Sequence, residues 1–285
     1  MRTMAENTLM QSLLLCAICA LSGACFLEAT ALSGERARAV RERTQTARLR
    51  AASWFLIAAF LTTALAFVAG RGRNGAIETI VVWVRVGLLL LMLALLRARA
   101  VAAASSLAAA ALLATQSALS RSAEHDVLAL FGDWLHLTLA ACWLGGVLML
   151  GVVAGALAHD PDAAAVRSYG AVIDRFSPVA LFCVAGLALG GIAQSAQFLG
   201  SVEALWTTDY GRALSAKLAL FAVLVGFGAF HRQVLAPQVR RWALRRSEAG
   251  DGRGFVLRFR LSLSIEVIVG ALLLAMVGVM KALPM

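Results

Sequence analysis

Residues Asp126–Gly151 read DVLALFGDWLHLTLAACWLGGVLMLG, and the stretch is long and apolar enough to cross a bilayer as a helix, which takes about 20 residues. Its first half nevertheless carries Asp133, Trp134 and His136. An ionisable side chain in hydrocarbon costs at least about 2.5–3.5 kcal/mol on insertion scales, so such residues mark a function by default. At 1.5 Å per residue, His136 lies on the order of 12 Å beyond the point near Leu128 where the helix enters hydrocarbon. Asp133 and His136 are three apart and share a helix face, on which Trp143 also falls. The pattern predicts a polar site inside a membrane protein.

Composition agrees with a membrane chain. Of the 285 residues, 61% are hydrophobic and 15% charged, against about 45–50% and about 25% in soluble domains. The formal charge of +10 comes almost wholly from arginine. Those arginines sit in connections between apolar runs rather than on one basic domain, which argues against a nucleic-acid partner. The five cysteines (16, 19, 25, 142 and 183) all lie in apolar segments, where inert buried thiols rather than disulfides are expected. No GxxxxGK[ST] loop is present, so this chain has no Walker-type nucleotide site to drive a pump.

Apolar runs predict an all-α polytopic bundle of about eight spans, near 9–29, 51–70, 79–96, 100–119, 127–157, 176–199, 213–235 and 261–283. Only Arg97–Arg99 part the third from the fourth, and one continuous helix there would overrun a bilayer, so a tight hairpin is expected. The first span has an alternative reading as a signal peptide, with LSGAC (Leu21–Cys25) as a faint cleavage box. Cleavage would strand the Arg-rich loop Ser33–Arg50 outside, against the preference of Lys and Arg for the cytoplasm. The connections after spans one, three, five and seven hold 18 Lys and Arg; the opposite side holds seven, with Arg85 inside span three. This asymmetry puts both termini on the outer, periplasmic side. The connection Arg232–Arg260, with eight arginines, is expected to sit against anionic lipid of the inner leaflet. The whole chain, 1–285, reads as one integral-membrane domain without a soluble module or internal repeat.

In that orientation the Asp133–His136 end of span five opens outward, with Glu124, His125 and Asp126 at its mouth. Met276 and Met280, four apart on span eight, and Met1, Met4 and Met10 lie toward the same side. Lys217 and Arg212 oppose a cation there, so Lys217 is expected to pair with Asp209, Glu203 or Asp133 or to sit at the rim. The glycine pairs Gly145–Gly146 and Gly190–Gly191 would let helices approach closely.

Several stretches together resemble the CopD copper-resistance family of inner-membrane proteins. They are D-W-L-H (Asp133–His136), W-L-G-G (Trp143–Gly146), R-F-S-P (Arg175–Pro178), T-T-x-Y-G-R-x-L-x-x-K (Thr207–Lys217) and the closing LRFRLSLSIEVIVGALLLAM with Glu266. The resemblance is firm over about 131–274 and looser over the four spans of 9–119, where only the span count agrees. It implies copper transport across the bacterial inner membrane, inward, beside a periplasmic CopC-like copper-binding partner, with no covalent catalysis. Members often carry Asn-Arg where this chain has His231-Arg232, so His231 is either an added exit-side ligand or an ordinary interfacial residue.

Copper gives the candidate residues roles. Thioether and thiolate donors suit Cu(I), whereas imidazole and carboxylate suit Cu(II). His136 is the leading ligand, with Asp133 as co-ligand or as the acceptor that orients the imidazole; the plainer alternative is that the two bond one another or a neighbouring helix. Glu124 and His125 are candidates for capture at the mouth, and Met276 and Met280 for Cu(I) binding or for core packing. Cys142 and Met149, seven apart, offer a relay or ordinary packing. Gln194 and Gln197 offer a polar path or an interhelical hydrogen bond. Glu266 is expected to pair with Arg258 or Arg260, or to serve as an exit-side carboxylate. Two other functions compete: a haem protein using His136 with Met276 or Met280, and a scaffold that presents the periplasmic partner without transporting.

Overall fold

The computed structural model describes residues 2–69, 75–98, 102–120, 127–159, 163–198, 201–235, 237–238 and 249–282. Among them the chain is helical, with no strand. In lipid every backbone N–H and C=O must be paired within the segment or its immediate neighbours, and continuous apolar helices do this.

The helices are α1 (Arg2–Leu27), α2 (Arg38–Ala69), α3 (Ala76–Ala98), α4 (Ala102–Ser117), α5 (Val127–Ala140), α6 (Gly146–His159), α7 (Ala163–Phe198), the short α8 (Ala204–Thr207), α9 (Asp209–Phe230) and α10 (Ala249–Ala282). Helix α1 continues through a π turn, Glu28–Leu32, and α9 through another, His231–Leu235. A third, Ala141–Gly145, joins α5 to α6, so Val127–His159 is one 33-residue span. Seven segments are long and apolar enough to cross a membrane. The expected fourth span is α4, whose 16 residues rise about 24 Å, somewhat short of the hydrocarbon core. Helices α3 and α4 are separate and pack on each other, as the hairpin reading requires.

Two features differ from the sequence reading. The stretch expected as an Arg-rich loop, Ser33–Arg50, is largely helical: a 3-10 turn, Glu35–Ala37, leads into α2 at Arg38. Its arginines find partners that make the helix tolerable at the membrane boundary. Arg48 is buried and ion-pairs with Glu28, while its Nη2 donates to the Arg41 carbonyl at 2.7 Å. Similarly, the C-terminal part of the Arg232–Arg260 connection is already helix, since α10 starts at Ala249.

Helix α1 is the most buried of the spans, and two apolar clusters meet on it. One joins its first half to α2, α3 and α4 through Ile18, Leu21, Leu56, Leu89 and Leu112; the other joins its second half to α6, α7, α9 and α10 through Leu27, Leu150, Tyr169, Leu224 and Phe259. A helix apolar on every side belongs at such a centre. The peripheral helices instead turn large side chains outward, among them Trp54, Ile77, Trp83, Phe182 and Ile192. That belt is what a lipid-facing surface requires.

Close approach comes from glycine. A Cβ on Gly145 would lie 2.5 Å from the Cys19 carbonyl oxygen and 2.7 Å from Gly23 Cα, so the π turn and α1 touch backbone to backbone. A Cβ on Gly146 would lie 2.5 Å from Phe176 Cε2. The W-L-G-G and R-F-S-P stretches, distant in sequence, thus form one contact. Some polar side chains in the span interiors bond across helices. Tyr169 Oη donates to the Leu150 carbonyl at 3.0 Å, and Trp134 Nε1 to that of Ala110 at 2.9 Å. Buried Arg85 donates to both the Oγ1 and the carbonyl of Thr115, each at 2.9 Å.

Candidate functional site

The geometry of α5 is set by Trp134, whose bond to α4 leaves the neighbouring Asp133–His136 face turned toward α7. His136 packs against the glycine step of α7: the position a Cβ would take on Gly190 is 3.6 Å from His136 Nδ1, and that on Gly191 is 3.9 Å from Cε1. A Cβ there would make ordinary van der Waals contact with the imidazole, so the ring lies directly against this step of α7 and a longer side chain would meet it. Both residues are half-buried, yet Asp133 Oδ2 and His136 Nδ1 are buried atoms with no hydrogen-bond partner among the described residues. Leaving a buried polar atom unpaired costs about 1–3 kcal/mol. No hydrogen bond joins these two atoms to one another.

Lys217 on α9 completes the cluster, within electrostatic reach of both Asp133 and His136. Of its three expected partners, Asp133 is the one whose charge it senses; Asp209 pairs with Arg212 at 2.9 Å. The T-T-x-Y-G-R-x-L-x-x-K stretch has a local explanation. Thr208 caps α9, its Oγ1 accepting from Gly211 N at 2.9 Å, and Gly211 has backbone of α8 where a Cβ would go. The cap fixes where α9 starts, and the start fixes where Lys217 arrives.

The remaining candidates are dispersed. Glu124, His125 and Asp126 lie outside the described residues, as do Met1, Met285 and the side chains of Met4, Gln194 and Gln197. Met280 is buried and Met276 half-buried on the end of α10 that packs on α1, where Ser12 Oγ donates to the Ala275 carbonyl at 3.5 Å. Met149 is buried beside a small cavity of about 280 Å³ that also meets Glu28, Arg41 and Arg48. Cys142 meets a different partner, Cys183 of α7. Among the described residues no three His, Cys, Asp or Glu side chains gather closely enough to cage a metal ion.

A second polar site lies toward the opposite end of the bundle. Glu266, 1% exposed, pairs with His231 rather than with Arg258 or Arg260: His231 Nδ1 is 3.0 Å from Glu266 Oε2, and His231 Nε2 is 2.7 Å from Ser262 Oγ. Ser262 and Glu266 are one turn apart on α10, so the imidazole bridges two of its side chains. The pair borders a cavity of about 460 Å³ that Asp174, Ser177, Pro178 and Arg232 also line, with Trp143 and Val184 toward the middle of the bundle. Arg232 Nη1 donates to Ser177 Oγ at 3.5 Å. Sequence reasoning named Glu266 but not its partner, and it missed Asp174, Ser177 and Ser262. The i, i+4 spacing of Ser262 and Glu266 was the available signal.

Known proteins were compared with the chain. Residues 170–280 match the family model of copper resistance protein D. That segment, α7 from Gly170 to near the end of α10, is therefore CopD-like; the D-W-L-H helix precedes it. The chain is 28% identical over 148 residues to the copper transport protein CutJ of Bacillus subtilis (strain 168), a match covering 52% of this chain and 25% of that protein. The chain thus spans about a quarter of the relative it matches. No solved structure matches the chain.

Proposed function

We propose that this protein carries copper ions across the bacterial inner membrane, from the periplasmic to the cytoplasmic side, entering at Asp133 and His136. The observation that carries the reading is the unpaired pair itself. Asp133 Oδ2 and His136 Nδ1 are buried in a membrane-spanning helix with no hydrogen-bond partner among the described residues, a costly arrangement that a passing cation would relieve. Copper is the cation favoured by the CopD-like segment 170–280 and by the similarity to a copper transport protein.

Orientation follows from charge: 18 Lys and Arg against seven turn the Asp133 end outward. An ion that must leave needs weak successive sites rather than one tight cage. Lys217 tempers affinity at the entry. Met276 and Met280 lie toward that same outer face and supply soft donors for Cu(I). A CopC-like periplasmic protein is the partner that delivers the ion, and no covalent chemistry is required of this chain. Uptake of copper into vesicles of known orientation tests the reading, with wild type compared against His136→Ala and Met280→Leu. Loss of uptake in His136→Ala with retained folding is expected. If both variants carry copper like wild type, the entry site is misassigned.

A further inference from the structure

The copper reading uses the outer end of the α5–α7 seam and leaves its middle unexplained. Two turns inward from His136, about 9 Å along the helix, lies Cys142. It is the second residue of the π turn Ala141–Gly145. Gly146 N–H is shared there between the Cys142 and Trp143 carbonyls, so the helix widens at this point and its side chains are re-aimed. Such π turns recur at functional sites. Across the seam, Cys183 of α7 is 1% exposed and in hydrogen-bond contact with the Cys142 thiol; both are free cysteines. Cys183 is seven residues from Gly190 on α7, two turns along the same face that receives His136. On the other side, Trp143 and Val184 are chain neighbours of the two cysteines and line the cavity that reaches Glu266 and His231. The thiol pair therefore sits between the two polar sites.

We propose that Cys142 and Cys183 form a soft-metal site in the middle of the membrane, taking one Cu(I) ion between their two sulfurs. The proposal rests on the copper reading for its ion, and on the seam for its geometry. Sulfur donors select Cu(I) over harder cations, and Cu(I) is satisfied by two sulfurs in line, so a pair suffices. Charge decides whether the ion fits at this depth. If Cu(I) replaces one of the two thiol protons, which leaves to water, one positive charge substitutes for another. The site is then as neutral loaded as empty, avoiding the several kcal/mol that an added buried charge would cost. The resulting thiolate–copper–thiol bridge is held by α5 and α7 together, and its release requires only re-protonation of one sulfur.

The test uses the purified full chain in lipid nanodiscs, with Cu(I) kept reduced by ascorbate. Copper X-ray absorption on wild type is expected to show two sulfur neighbours. Competition with a chromogenic Cu(I) chelator should show affinity reduced roughly tenfold or more in Cys142→Ala and Cys183→Ala, with Cys19→Ala unchanged. A second measurement needs no variant. Cu(I) should slow maleimide alkylation of half-buried Cys142, read by mass spectrometry, while half-buried Cys16 reacts as before. Unchanged affinity in both variants, or equal alkylation of Cys142 with and without Cu(I), overturns the proposal. Should vesicle uptake still depend on His136 in that event, the dithiol site fails and the copper reading stands. Should the protein neither bind nor carry copper, the reading itself fails.

Discussion

Replacing Gly145 by alanine probes the contact on which the bundle's centre depends. The added methyl would lie 2.5 Å from the Cys19 carbonyl oxygen and 2.7 Å from Gly23 Cα. An ordinary carbon–carbon contact is about 3.5–4.0 Å, so α1 and the π turn must separate by about 1 Å. The obstructing atoms are backbone, so no side chain can rotate away. Overpacking of this kind costs about 1–3 kcal/mol, and in a membrane no gain from burial offsets it, because packing itself holds helices together. Gly226 of α9 is the matched control: a Cβ there meets nothing within 4 Å, and alanine propagates a helix better than glycine by about 1 kcal/mol. Reversible unfolding in sodium dodecyl sulfate, followed by tryptophan fluorescence, reads both. Gly145→Ala should unfold at lower detergent fraction by the stated free energy, and Gly226→Ala should equal or exceed wild type. A Gly145→Ala protein as stable as wild type would refute the backbone contact and the central position given to α1.

Buried Arg85 makes a second test: Thr115→Val removes one of its two partners and should destabilise by about 1.5–3 kcal/mol. The double variant Arg85→Met/Thr115→Val should recover most of that loss, since apolar residues often replace a buried charge without cost; the same unfolding assay measures the cycle. At the other end of the bundle, His231→Ala leaves Glu266 buried without its imidazole. The expected loss is about 3–5 kcal/mol, partly restored by Glu266→Gln in the same chain. Lys217→Met withdraws a positive charge from the Asp133–His136 cluster and should tighten copper binding, read by isothermal titration; unchanged or weaker affinity would remove Lys217 from the site.

Most of the architecture was legible because membrane helices advertise themselves. Length and hydropathy located each span to within a few residues, except where helices continue past the hydrocarbon. Arg38–Arg50 looks like a loop because hydropathy measures lipid compatibility, not helicity, and the charge of Arg48 is matched by Glu28, about twenty residues away across a turn, with the Arg41 carbonyl and Thr44 Oγ1 also accepting from it. The candidate site was legible in part. Neighbours on one face three residues apart, Asp133 and His136, could be read from one helix. Partners brought together by packing could not: Glu266 with His231 and Cys142 with Cys183, while Lys217 with Asp133 was one of three options the sequence left open. Each pair joins different helices, and only the helix register, fixed by contacts such as Gly146 on Phe176, brings them face to face.

That register explains why the polar residues are few and spaced. An ion crossing about 30 Å of hydrocarbon needs a stop wherever the next water lies too far away, but each stop must hold it loosely. The α5–α7 seam offers Asp133 and His136 at one end, a thiol pair two turns on, and the cavity bordered by Glu266 and His231 beyond it. Gly190 and Gly191 lie against His136, and Cys142 sits in the π turn. If the seam is the route, enlarging it and blocking it should have opposite effects. Gly190→Leu places a side chain where a Cβ already lies 3.6 Å from the imidazole and should abolish uptake with folding retained. Trp143→Phe, opening the step between the thiols and the cavity, should leave uptake intact or raise it. A Gly190→Leu protein that folds and still transports at the wild-type rate would place the route elsewhere in the bundle.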